Sequence, residues 1–211
     1  MKLLEPDVTL TDFALAIECI VLSIALATAT PWGLPYQIAF VLFFACNGIA
    51  SLAGGLAHGF YSSHSQGAGQ FLWRLSLLAL GASIIAIWKI SAQLLFGPVA
   101  GNYAMYVAGG AFVIYASFLL LRNPPFSWAV IFYLPAVLFM LTAFVISYTN
   151  SGQPEMLYGL AGTILTLAAA IIQQAGIKLH PRYFNHNALY HLVQAVALLM
   201  IFMAARKMIL Y

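Results

Sequence analysis

Five histidines and a few carboxylates are the residues of this chain that could do chemistry. His58, His64, His180, His186 and His191 are joined by Asp12 and Glu18, most of them in or beside long apolar runs. An imidazole can hold a metal, carry a proton or bond a carbonyl. A carboxylate as deep as Glu18 calls for a partner: Arg74, a histidine or a metal. Ionisable groups within a membrane are costly to keep, so they are read as functional by default. What they can do together depends on the elements that carry them.

Those elements are set by composition. Of the 211 residues, 64% are hydrophobic and only 6% are charged. A soluble domain carries roughly 25% charged residues, so this chain cannot cover itself with a wetted surface. Pro and Gly clusters end helices for steric reasons. They fall at Thr30–Gly33, Ser62–Gly67, Gly97–Pro98, Arg122–Pro125, Asn150–Pro154 and Lys178–Arg182. Between them lie apolar runs near 10–30, 36–61, 69–96, 103–121, 126–149, 156–177 and 186–209. About 20 apolar residues cross a bilayer core as a helix, so each run is long enough. Backbone groups in lipid must bond internally, and the alternating short strands of a barrel are absent. The expected fold is an all-α membrane protein, a seven-transmembrane-helix bundle forming one domain over 1–211. Acids before the small-residue stretch at Ala27 and Ala29 argue against a cleaved signal peptide, so the first run is read as retained.

Threading the runs up and down gathers the polar residues at one end. His58 and His64 close span 2, while His180, His186 and His191 open span 7. All five therefore share a leaflet with Glu5, Asp7, Asp12, Glu18, Arg74, Gln173 and Gln174. The other end has little beyond Lys89, Gln93, Asn102 and Glu155. Lys2, Arg74, Arg122, Lys178 and Arg182 outnumber Arg206, Lys207 and Lys89, so the positive-inside rule puts the N-terminus in the cytoplasm. The net charge of +3 comes from residues scattered at helix ends and forms no nucleic-acid face. The expected partner is the lipid bilayer, with a lipid substrate or ligand. Protein partners are not indicated. Cys19 and Cys46 read as small buried residues. Trp32, Tyr36, Trp128, Tyr183 and Tyr211 read as interface anchors.

Spacing then selects faces. Asn47, Ser51, Gly54 and His58 recur at steps of four, three and four, which lines one side of a helix. Ser51, Gly55 and Gly59 form a parallel small stripe that admits a close neighbour. In span 7, Asn187, His191 and Gln194 share a face. His186 lies about 140° around from His191 on an ideal helix, so it turns inward only from before the helix or from a distorted first turn. Its other reading is interfacial. His64 and His180 are expected in solvated loops. Asp12 follows Leu10-Thr11 and reads as a helix N-cap.

Two stretches carry a resemblance. Ser51 to His58, and His186 to His191 followed by Gln194, are similar to the span-2 and span-7 motifs of the CREST superfamily. That group includes alkaline ceramidases and progestin/adipoQ receptors. The resemblance covers the chain in topology and about twenty residues in motif. It implies a zinc ion held by His58, His186 and His191, with Ser51 and a carboxylate as catalytic groups. The activity it implies is hydrolysis of a lipid amide or ester. Asn47, Asn187, Gln194 and Arg74 would then orient ligands and carboxylate. Three neutral imidazoles would leave zinc one open position for a water whose proton it acidifies.

The chain departs from the family at three points. Gly54 stands where the family has Ser. The paired span-7 histidines are five apart rather than four. Span 3 has no Asp, leaving Asp12 and Glu18 as the acids to take its place. A non-enzymatic membrane subunit or receptor-like protein that keeps the fold is the alternative. A bis-His haem carrier using His58 and His191 ranks below both.

Overall fold

The computed structural model describes residues 3–29, 31, 33–34, 36–61, 66–122, 125–180 and 183–210. His64, Trp32, Tyr211, Lys2 and Arg182, singled out above, lie outside them. Among the described residues, seven helices run in order: α1 Pro6–Thr28, α2 Gln37–Phe60, α3 Gly67–Phe96, α4 Pro98–Arg122, α5 Ser127–Ser151, α6 Pro154–Ala175 and α7 His186–Leu210. Each is long and apolar enough to cross a membrane. This is an all-α, integral, multi-pass membrane protein, as composition requires.

The boundaries follow local chemistry. Proline near the start of α1 and α6 costs nothing, because a first-turn N–H has no helical partner anyway. Gly152 and Gly176 end α5 and α6 in the left-handed conformation, with φ of 67° at each. Asn185 caps α7 by accepting from the N–H groups of Asn187 at 2.9 Å and Ala188 at 3.1 Å. The capping role expected of Asp12 is corrected. Helix α1 begins at Pro6, with Glu5 as its N-cap residue, so Asp12 lies two turns inside. Pro6 moves the start upstream and turns Asp12 into an interior side chain.

Helices α1, α2, α3, α5, α6 and α7 form a ring, each touching the next, and α7 closes against α1. Helix α4 packs on α3 from outside and buries only Gly101, Ala108, Tyr115 and Leu119 along its 25 residues. At the end away from the N-terminus the ring is filled by apolar side chains, among them Phe40, Phe43, Phe44, Ile87, Phe144 and Leu198. At the end nearer the N-terminus the interior is polar.

Glycines set how closely the ring closes. A Cβ at Gly55 would sit 2.8 Å from the Phe13 ring, and one at Gly59 would sit 2.9 Å from Thr9. The small stripe of α2 is therefore the surface on which α1 lies. Between α6 and α7, a Cβ at Gly162 would sit 2.6 Å from the carbonyl oxygen of Ala197, a backbone atom that cannot swing away. Gly162→Ala should thus destabilise the bundle by about 1–3 kcal/mol, the usual range for overpacking. Gly109→Ala should be neutral, because nothing lies within 4 Å of its Cβ position. Thermal unfolding in detergent checks the pair, and equal midpoints for the two variants would contradict this packing.

Candidate functional site: a polar cavity inside the ring

The polar end of the ring encloses a cavity of about 130 Å³. At about 30 Å³ per water, that is room for roughly four water molecules or a small polar head group. The helix faces chosen by spacing meet there. Asn47, Ser51, Gly54 and His58 come from α2, Asn187, His191 and Gln194 from α7, and Asp12 from α1. Trp73 and Ser76 of α3, Gln173 of α6 and Tyr190 of α7 complete the polar and aromatic wall.

The central contact joins the first helix to the last. Asp12 Oδ1 lies 3.2 Å from His191 Nε2, and both side chains are buried. The other ring nitrogen of His191, Nδ1, lies 3.1 Å from Thr11 Oγ1. That hydroxyl has one proton, which it directs at the carbonyls of Asp7 at 2.9 Å and Val8 at 3.0 Å. With that proton on a carbonyl, the hydroxyl oxygen accepts from the imidazole, an arrangement in which Nδ1 carries the N–H. Nε2 then faces Asp12, and the space between them is a position for a single proton. Asp7 adds a third link, accepting from the N–H of Asn185 at 3.0 Å.

A second imidazole stands across the cavity. His58 Nδ1 lies 3.3 Å from Glu5 Oε1, and its ring meets Trp73 edge-on with centroids 5.8 Å apart. Ser76 donates to the Ala50 carbonyl at 2.8 Å and ties α3 to α2. A Cβ at Gly54 would lie 3.4 Å from Asp12 and 3.5 Å from Ser76. The missing side chain at that position is what leaves room beside the carboxylate. Gln194 donates to Thr166 at 3.4 Å, while its buried Oε1 has no partner. An unpaired buried acceptor costs about 1–3 kcal/mol, so it is a place for an incoming N–H or O–H.

Of the expected site residues, Glu18, His186 and Arg74 do not line the cavity. Helix α7 is regular from His186 onward, so the five-residue spacing carries that ring away from His191, and Asn187 faces the cavity instead. Glu18 is half-buried on α1, while Arg74 lines a separate pocket against α4. Among the described residues, no three His, Cys, Asp or Glu side chains are grouped to hold a metal ion. The three-histidine donor set does not fit. Sequence reasoning missed Thr11, Ser76 and Tyr190. Thr11 had a signal, because it stands four residues after Asp7 and beside Asp12, on the face of α1 that meets α7.

Fold and cavity define a seven-helix membrane protein with a buried acid–imidazole pair. Over residues 8–210 the chain matches the model of a family of unknown function, DUF6962, and belongs to that family. No curated protein and no solved structure matches it.

The Asp12–His191 contact should appear as coupling. Removing either partner strands the other in a buried setting, whereas removing both does not. Asp12→Ala and His191→Ala should each lower stability, and the double variant should lose less than the sum by about 0.5–3 kcal/mol. A double-mutant cycle of detergent unfolding measures this, and simple additivity would rule the contact out.

Proposed function

We propose that the chain is a membrane-embedded hydrolase of a lipid amide or ester, akin to the CREST proteins that its span-2 and span-7 motifs resemble. The observation that carries this reading is the buried Asp12–His191 pair on the wall of a cavity inside the ring. An oriented carboxylate–imidazole pair is suited to general acid–base work. A narrower apolar pocket adjoins the cavity and shares Asn47, Tyr190 and Gln194 with it. A polar head beside an apolar slot matches the two parts of a lipid.

In the reaction we propose, water in the cavity attacks the carbonyl carbon of the lipid. Asp12 takes the water proton on Oδ2, the oxygen not engaged by His191, while the proton shared by Oδ1 and Nε2 stays in place. The bond from carbon to the leaving nitrogen or oxygen breaks, and the pair returns the proton to that atom. The products are a carboxylic acid and an amine or alcohol. Thr11 holds the imidazole in its tautomer, and Gln194 Oε1 accepts an N–H or O–H of the head group. His58, backed by Glu5, donates to the carbonyl oxygen as charge develops on it. Ser51 lines the cavity and is the alternative nucleophile. The zinc that the resemblance implies lacks its three-histidine donor set, so these steps use the chain's own groups.

The second reading, a lipid-binding protein without catalysis, is favoured by one observation: His186 stands outside the cavity. One experiment separates the two. Purified protein is mixed with vesicles containing an N-acylated or O-acylated lipid, and released fatty acid is followed. Release that falls about 100-fold or more in His191→Ala supports the hydrolase. Lipid binding without release supports the second reading. The same sample tested for metal and for a Soret band checks the ligand sets. About one zinc per chain, lost in His58→Ala, would restore the metal-dependent version. A Soret band would replace both readings with the haem carrier.

A further inference from the structure

Arg74 stands one residue beyond Trp73, about 100° further around α3, and faces a different space. Trp73 lines the central cavity, while Arg74 lines a pocket of about 220 Å³ where the start of α3 meets the end of α4. Gly67, Gln70, Phe71, Leu75, Leu78 and Leu120 complete its wall. The guanidinium Nε is buried there without a hydrogen-bond partner. The ion pairs among the described residues are Glu5–His58 and Asp12–His191, and neither involves Arg74.

An arginine near the membrane interface would normally stretch its head group toward water. Here part of the head group turns into a pocket that is otherwise mostly apolar. A half-buried arginine whose Nε–H is buried and unpaired calls for an anion. Two further features make this end positive. Arg122, exposed in the last turn of α4, follows Leu120 by two residues. Helix α3 begins beside the pocket, and its N-cap residue Gln66 makes no side-chain cap bond, so the positive end of the helix dipole faces the same side. Leu75 and Leu78 lie further along α3 from its start, on the side where an acyl chain would continue, and Leu120 faces them from α4.

We propose that this pocket binds the phosphodiester head group of an anionic lipid, with Arg74 as the main contact and Arg122 and Gln70 beside it. The phosphate oxygens would accept from the guanidinium, and the acyl chain would lie along the leucines. The site is separate from the central cavity, so the outcome for hydrolysis does not bear on it.

The test is native mass spectrometry of detergent-purified protein, titrated with phosphatidylglycerol or with phosphatidylcholine of the same chains. Both lipids carry the phosphodiester, but the choline ammonium meets Arg74 and Arg122 with like charge, so the anionic lipid should be favoured by about tenfold. Arg74→Gln should abolish that preference, and Arg74→Lys should keep part of it. Arg122→Gln, at an exposed position, should weaken the preference without disturbing the fold. It carries the test if Arg74→Gln does not fold. Equal binding of the two lipids by the unmodified chain overturns the proposal. So does a preference unchanged in the arginine-to-glutamine variants. Inorganic phosphate that displaces the lipid at equal concentration would assign the pocket to a soluble anion and overturn it as well.

Discussion

The ring of helices closes where the first helix meets the last, and the closure is polar. Asp7, Thr11 and Asp12 present three oxygen-bearing side chains on one side of α1, and each meets α7 at Asn185 or His191. In a lipid setting, apolar contact between helices gains little over contact with lipid tails, so such bonds and close packing hold neighbours in register. The α1–α7 seam depends on both. Glycines of α2 let α1 lie flat, which brings Asp12 to the cavity rather than to lipid. Without that seam the cavity would open along one side.

The interior is divided by depth. One end is packed with phenylalanines and branched aliphatic side chains, and the other holds Asn, Ser, His and Gln around a space for a few waters. A dense apolar half can fix the helix positions while the polar half stays hollow. The hollow end carries the groups whose burial is costly, and nearly all of them find partners: Asp12 with His191, His58 with Glu5, Ser76 with a carbonyl. The unpaired Oε1 of Gln194 is the exception on the cavity wall.

Much of this was legible in the residues. Long apolar runs broken by Pro and Gly located the seven helices, because the bilayer leaves an uncharged run no other regular structure. Threading those runs put the histidines at one end, and a step of three to four residues chose the face that Asn47, Ser51 and His58 share. Periodicity gives a face but not a neighbour. It could not say that Asp12, read as a cap, would sit two turns inside α1 and meet a residue 179 positions away. It could not place Arg74 on the outside of α3, because a helix between two neighbours has two buried sides. His186 was left open by its spacing, and the regular start of α7 decided the matter. Ser76 carried no signal beyond being a serine in an apolar run.

Helix α4 stands outside the ring, packed mainly on α3 with Tyr115 and Phe118 against Phe132 and Trp128 of α5, and gives no side chain to the central cavity. Many of its side chains are exposed, and the rest answer to α3 and, near Tyr115 and Phe118, to α5. In evolutionary terms it is the part of the chain with the most freedom to drift. Substitutions at its exposed positions, such as Tyr103, Tyr106, Val107, Val113 and Ile114, can exchange one apolar residue for another while the ring keeps its shape. The constrained positions are Gly101, Ala108, Tyr115 and Leu119, which are buried against α3 and the start of α5. Variation among related chains should therefore gather on this helix, and constancy on the face of α1 that meets α7.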